Sequence, residues 1–294
     1  MSKLKHILIT GAFGQLGSEF KTLSKKQNYL NFIFTDIDSL DITSTKDLIT
    51  FFDKNNIDLV INCAAYTAVD KAETEQKTAE LINVDAVNYL VNICNKYNIL
   101  LFHFSTDYIF NGKNNAPYKE DNKPDPQTVY GKTKLEAENL ILNNLKSGII
   151  FRISWLYSSF GNNFIKTMIR LGKEKKEIRV VSDQIGVPTY AHDLANDIIN
   201  IIGKINNKLY DCSKPEIFHY TSDGYCSWYE LAKEIMIIGN TGCKVIPIET
   251  KDYPTAAKRP PYSVLDTLKL RKTFGIRTRH WKESLEECIQ LIEN

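Results

Sequence analysis

His6-Ile7-Leu8-Ile9-Thr10-Gly11-Ala12-Phe13-Gly14-Gln15-Leu16-Gly17 is a short apolar run that breaks into a turn holding three glycines. The run reads as a buried strand and residues 15–25 as the helix after it. Glycines at 11, 14 and 17 permit a tight turn, close approach of backbone to phosphate, and close packing of helix on sheet. The helix N-terminus then offers free N–H groups and partial positive charge to a pyrophosphate. The spacing is GxxGxxG rather than GxGxxG, and a purely structural turn is the alternative reading.

Working outward, the same alternation repeats. Residues 31–35, 58–62, 99–105 and 148–152 read as strands, and residues 45–55 and 74–97 as helices, the first capped by Thr43 or Ser44. Near-continuous apolar strands alternating with helices predict an α/β fold, a Rossmann-type doubly wound parallel sheet covered on both faces. After Arg152 the regularity weakens, with a strand at 178–181 and a helix at 191–202. The domain reading is a dinucleotide-binding domain over 1–152, with about 168–202 returning to it. Residues of about 153–167 and 203–294 make a smaller, discontinuous C-terminal substrate lobe.

Charge and cysteines narrow the function. With 37 basic against 35 acidic residues the net charge is +2, and no long block of one sign appears, so nucleic acid and membrane surfaces are not expected partners. The six cysteines form no CxxC and no cluster at zinc spacing, which predicts reduced, buried thiols in a cytoplasmic protein. The N-terminal stretch holds too few apolar residues for a signal peptide, and no run is long enough to span a membrane. The five histidines (6, 103, 192, 219 and 280) read as structural, and no metal ligand is assigned. Neither a GxSxG element nor a P-loop is present.

Asp36 closes the second strand, where a carboxylate can accept hydrogen bonds from an adenosine ribose. It favours NADH over NADPH, because a 2′-phosphate would meet a like charge; a solvated turn aspartate is the alternative. Asp41 and Ile42 could lie against the adenine. Residues 62–67 (Asn-Cys-Ala-Ala-Tyr-Thr) follow the third strand with small side chains at a strand end, where ligands bind in open α/β sheets. Tyr130 and Lys134 sit one helical turn apart on one face. A free phenol has a pKa near 10, and a neighbouring ammonium, together with a nicotinamide cation in one oxidation state, is expected to lower it toward a useful acid–base range. Ser105-Thr106-Asp107 ends the fourth strand, and a hydroxyl there could polarise the same substrate oxygen.

Together these segments resemble the extended short-chain dehydrogenase/reductases that act on nucleotide sugars. The likeness runs through 11–17, 62–73 (NCAAYTAVDKAE), 103–112 (HFSTDYIFNG), 129–138 (VYGKTKLEAE), 151–168 (FRISWLYSSFGNNFIKTM), 183–189 and Arg259-Pro260. It implies Thr106, Tyr130 and Lys134 as the catalytic set. The implied cofactor contacts are Gly11, Phe13, Gly14, Gln15, Leu16, Asp36, Asp41, Ile42, Ala65, Tyr66, Thr67 and Phe104, with Tyr130 and Lys134, for NADH or NADPH. The implied substrate is a dTDP-linked 4-keto sugar, met by Thr106, Asp107 and Trp155, with Arg259 on its diphosphate. Core packing is the alternative for Trp155. Some relatives form a homodimer bridged by a divalent ion on acidic side chains; here Glu19 is present but His192 stands where an acid is expected, which argues against a structural metal. Two other readings stay open: a different nucleotide-sugar reductase or epimerase, and a non-catalytic cofactor-binding subunit of the kind that regulates methionine adenosyltransferase.

Overall fold

The computed structural model describes residues 3–293; Met1 and Ser2, part of the stretch read above for a leader, and Asn294 lie outside them. The chain runs β1 (His6–Thr10), α1 (Gln15–Ser24), β2 (Asn31–Phe34), α2 (Thr45–Lys54), β3 (Leu59–Asn62), α3 (Val69–Ala72) and α4 (Gln76–Glu80). A π turn over Leu81–Asp85 leads into α5 (Ala86–Tyr97), then β4 (Leu100–Thr106), α6 (Val129–Asn144) and β5 (Gly148–Ile153). There follow β6 (Leu156–Tyr157), α7 (Phe164–Glu174), β7 (Glu177–Val181), β8 (Ile185–Gly186), β9 (Thr189–Tyr190) and α8 (Ala191–Asn206). The last elements are β10 (Glu216–His219), β11 (Cys226–Ser227), α9 (Trp228–Ile238), β12 (Lys244–Ile248), α10 (Leu268–Phe274) and α11 (Trp281–Glu293).

Six strands form one sheet in the order β10-β5-β4-β3-β1-β2, every pairing parallel. Successive side chains of a strand point to opposite faces, and both faces here are buried. Ile7, Ile9, Ile61, Phe102 and Phe151 pack on one side with Phe20 of α1, Ile198 of α8 and Phe274 of α10. Leu8, Val60, Leu101 and Ile150 pack on the other with Phe52 of α2, Leu90 of α5 and Ile141 of α6. That double burial is the reason the strands read as unbroken apolar runs. A separate core joins Ile169 of α7, Ile178 of β7, Ile235 of α9 and Leu285 of α11.

Three expectations change. The helix expected over 74–97 is interrupted by the π turn and preceded by the short α3. The strand expected at 178–181 forms, but it pairs with β12 outside the main sheet, and α7 packs beside it in the separate core. Of the stretch expected to return to the sheet layer, α8 is the part that packs there. The sixth strand is instead β10, from within the 203–294 segment assigned to the lobe. Four residues at a sheet edge, two of them half-buried, carry too little pattern to announce a strand. Among the described residues no helix is long and apolar enough to cross a membrane, and all six cysteines are unbridged.

Candidate active site

The strand order reverses between β1 and β3, the switch point at which open α/β sheets bind ligands beyond the strand ends. Two loops meet there. Gly11 has φ +61°, and a Cβ on it would lie 2.7 Å from the Cα and N of Ala64. A Cβ on Gly17 would lie 2.5 Å from the Gly11 carbonyl oxygen and 2.6 Å from the Ala12 Cα. The glycines therefore hold the β1 turn, the start of α1 and the loop after β3 in backbone contact, leaving a cradle that side chains would fill. No acidic side chain lies in the first turn of α1, so its N–H groups face the cradle without a competing anion. Overpacking costs about 1–3 kcal/mol. Gly17→Ala is accordingly expected to weaken dinucleotide binding about tenfold or more, read by fluorescence titration of the reduced dinucleotide.

Beside this cradle opens a cavity of about 640 Å³. Of the expected residues it brings together Gly14, Gln15, Leu16, Ala65, Thr67, Phe104, Thr106, Asp107, Tyr130, Lys134, Trp155 and Arg259. Thr106 ends β4, and its Oγ1 donates to Asp107 Oδ1 (3.0 Å) and accepts from the Tyr108 N–H (3.2 Å). Tyr130 and Lys134 come from the first two turns of α6, whose N-cap, Thr128, accepts from the Gly131 N–H at 3.0 Å. Gly131 itself is required: a Cβ there would sit 2.3 Å from the Tyr108 carbonyl oxygen. The Tyr108 and Tyr130 rings then meet edge to face at 5.7 Å.

Burial sets the protonation of the site. It pushes Asp107 up to about 6, and Asp107 Oδ2 has no partner. It pushes the Tyr130 phenol up to about 12, opposed by the Thr106 hydroxyl. Lys134 is itself buried and held down to about 8, and its ammonium group lies 3.2 Å from His103 Nε2. At the phenol, desolvation outweighs the Thr106 hydrogen bond.

Of the expected residues Gly11, Phe13, Asp36, Asp41, Ile42 and Tyr66 do not line the cavity. Gly11 sits beneath it. Phe13 is exposed at the turn, and its N–H donates to Asp36 Oδ2 at 2.9 Å, while Asp36 Oδ1 accepts from the Ile37 N–H. Asp41 Oδ1 accepts from the N–H and hydroxyl of Thr43, and Ile42 is packed in the core beside Leu40 and Leu48. The Tyr66 hydroxyl donates to Glu75 (2.7 Å). Trp155, at φ +43°, stacks on Trp228 with ring centroids 3.6 Å apart. Arg259 is paired with Asp70 (2.5 Å), and its Nη1 is buried without a partner. Glu19 is buried and occupied: its carboxylate accepts from Ser158 (2.6 Å) and faces His192 Nδ1 (2.9 Å).

Sequence reasoning missed Asn83 and His103. The π turn carries Asn83, whose amide accepts from the Tyr66 N–H (2.9 Å) and donates to the Tyr66 carbonyl (3.1 Å) and Thr133 Oγ1 (3.1 Å). It ties the β3 loop to α6. An interrupted helix is a recurrent sign of a functional position, but the π turn leaves no mark in the local pattern.

A glycine cradle at the switch point, with a buried phenol and ammonium one helical turn apart beside it, defines a nicotinamide-type oxidoreductase of the short-chain class. The family model for the RmlD substrate binding domain matches residues 5–294. The chain belongs to that family, and as such is an oxidoreductase. It is 39% identical over 289 residues to a dTDP-4-dehydrorhamnose reductase of Aggregatibacter actinomycetemcomitans, covering 96% of this chain and 98% of that one. Among solved structures, a dTDP-4-dehydrorhamnose reductase of Clostridium acetobutylicum is 42% identical with a TM-score of 0.92, covering 98% of this chain and 100% of the other. Its counterpart from Bacillus anthracis, solved in complex with NADP, is 36% identical with a TM-score of 0.90, covering 99% and 100%.

Proposed function

We propose that the chain reduces the C4 keto group of dTDP-4-dehydro-L-rhamnose, giving dTDP-L-rhamnose. The observation that carries this reading is the convergence of Thr106, Tyr130 and Lys134 on one cavity beside the glycine cradle. The reduced nicotinamide dinucleotide, when bound, supplies the hydride. Tyr130 holds its proton firmly at neutral pH and gives it to the substrate oxygen as that oxygen becomes an alkoxide, a far stronger base. Thr106 orients the same oxygen. Lys134 holds the ribose hydroxyls and offsets negative charge developing on the phenol.

The sugar lies between Asp107, whose free Oδ2 accepts from a hydroxyl, and Trp155, fixed as a wall by its stack on Trp228. Arg259 lines both this cavity and a neighbouring one of about 790 Å³. That position suits a diphosphate, with the sugar on one side and the nucleoside on the other, and its unpartnered Nη1 is a donor for it. Asp36, beyond the end of β2, favours NADH over NADPH by repelling a 2′-phosphate.

The test is turnover of dTDP-4-dehydro-L-rhamnose with each dinucleotide in turn, followed by loss of the reduced-nicotinamide absorbance. Oxidation of NADH at the higher kcat/KM is expected. If correctly folded protein oxidises neither dinucleotide, the reading is wrong; if NADPH is preferred, the role given to Asp36 is wrong.

A further inference from the structure

Beneath Lys134 lies a polar row that the reaction as described does not use. Thr10, Asn62 and His103 occupy adjacent register positions on β1, β3 and β4. Each follows by two residues an apolar position, Leu8, Val60 or Leu101, that packs in the core under α5 and α6. At the C-terminal edge of the sheet that apolar layer gives way to hydrogen-bonding side chains, all three buried. Thr10 Oγ1 lies 2.6 Å from Asn62 Oδ1, Asn62 Nδ2 lies 3.2 Å from His103 Nδ1, and His103 Nε2 lies 3.2 Å from Lys134 Nζ. A buried polar row of this kind is costly unless each member is satisfied.

We propose that His103 is a positioning residue for Lys134: its uncharged ring accepts the buried ammonium's hydrogen bond, and the Asn62–Thr10 row partners the ring's other nitrogen in either tautomer. A charged lysine can only donate, so Nε2 must then be bare and the ring proton must sit on Nδ1, which requires the Asn62 amide to be turned so that its oxygen, and not Nδ2, faces the ring. The opposite order, the one the structure shows, satisfies the same atoms when Lys134 is neutral. Thr10 then donates to Asn62, Asn62 to Nδ1, and Nε2–H to the amine. Turning the Asn62 amide by half a rotation exchanges the two orders, so the row can follow the lysine through loss of its proton.

The surroundings agree. Burial and the Lys134 charge both push His103 well below the usual histidine value, so it stays neutral and does not repel the ammonium. Glu138, one turn further along α6, favours the charged lysine, although its own carboxylate is engaged by Arg152 of β5. The other titratable groups lining the cavity here are Tyr130 of α6, Asp107 and Tyr108 after β4, Cys63 after β3, Tyr157 of β6, and Arg259. With Lys134 held down to about 8, its charge fades as pH rises through that value. Loss of the one side-chain acceptor facing Nζ disfavours the charged form further, so the fade moves to lower pH.

The proposal rests on the reading that the Lys134 charge serves turnover, and two variants separate it from general disruption. A glutamine at 103 reaches as far as Nε2; an asparagine reaches only as far as Nδ1. H103Q is expected to keep the alkaline limb of the kcat profile. H103N is expected to move it down by about one pH unit, tenfold in activity on the limb, with the KM for the sugar nucleotide little changed. Identical profiles for both variants, or a uniform loss at every pH, would overturn the proposal. Histidine-labelled NMR of the unsubstituted protein, with His103 assigned by its absence in H103Q, needs no turnover. It is expected to show a ring that stays neutral well below the ordinary histidine value, its proton on Nδ1 at neutral pH. A ring that titrates near the ordinary histidine value overturns the proposal even if the sugar substrate proves to be a different one.

Discussion

Tyr130→Phe is expected to lower turnover by about 10²–10⁴-fold, the range that a positioned acid or base contributes, with dinucleotide binding retained. The substitution removes one oxygen and keeps the ring, so the edge-to-face contact with Tyr108 and the start of α6 survive. Among the residues lining the cavity, the phenol is the group that is protonated at neutral pH, buried beside Thr106, and placed on the face that carries Lys134. Asp107, near 6, is mostly ionised at neutral pH and poorly supplied with a proton to give. Turnover within about tenfold of the unsubstituted enzyme would show that another group protonates the alkoxide. A loss of dinucleotide affinity of the same size as the loss of rate would show that the residue is structural.

Glu138→Ala is expected to destabilise the fold by about 3–5 kcal/mol. Glu138 Oε1 and Oε2 accept from Arg152 Nε (2.9 Å) and Nη2 (2.7 Å), and both side chains are almost wholly buried. Arg152 Nη1 also donates to the Glu120 carbonyl (3.1 Å), and the guanidinium lies over the Phe110 ring. Truncating the carboxylate leaves the guanidinium buried with its main counter-charge gone, and this accounts for the size of the expected loss. The pair also ties α6, which carries Tyr130 and Lys134, to β5. Urea denaturation should show a lower midpoint with the slope unchanged. The exposed Arg170–Glu174 pair on α7 serves as the control, with Glu174→Ala costing less than about 0.5 kcal/mol. Equal effects at the two sites would mean that burial does not set the value of the Glu138 pair.

The sheet was legible because its strands are buried on both faces. Unbroken runs such as Leu59–Asn62 and Leu100–Thr106 have no other good reading between helical patterns. The glycine turn was legible for a similar local reason: three glycines within seven residues after a strand are hard to explain without close backbone contact. Tyr130 and Lys134 were legible because helical spacing puts them on one face whatever the tertiary context. β10 was not, because a four-residue edge strand carries no period. The π turn was not, because Asn83 has its partners on the β3 loop and α6, and nothing nearby in sequence marks it.

By itself the sequence determined the class of sheet, the place of the glycine cradle and the pairing of Tyr130 with Lys134 on one helical face, since each depends on spacing within one element or one turn. Only the tertiary structure decided the proton balance of the site. It placed Lys134 against His103, and it raised the phenol by burial. Thr10 and Asn62 are 52 residues apart, and Asn62 and His103 are 41 apart. They become neighbours only through the register of three parallel strands, and register is a property of the assembled sheet that no local stretch of sequence contains.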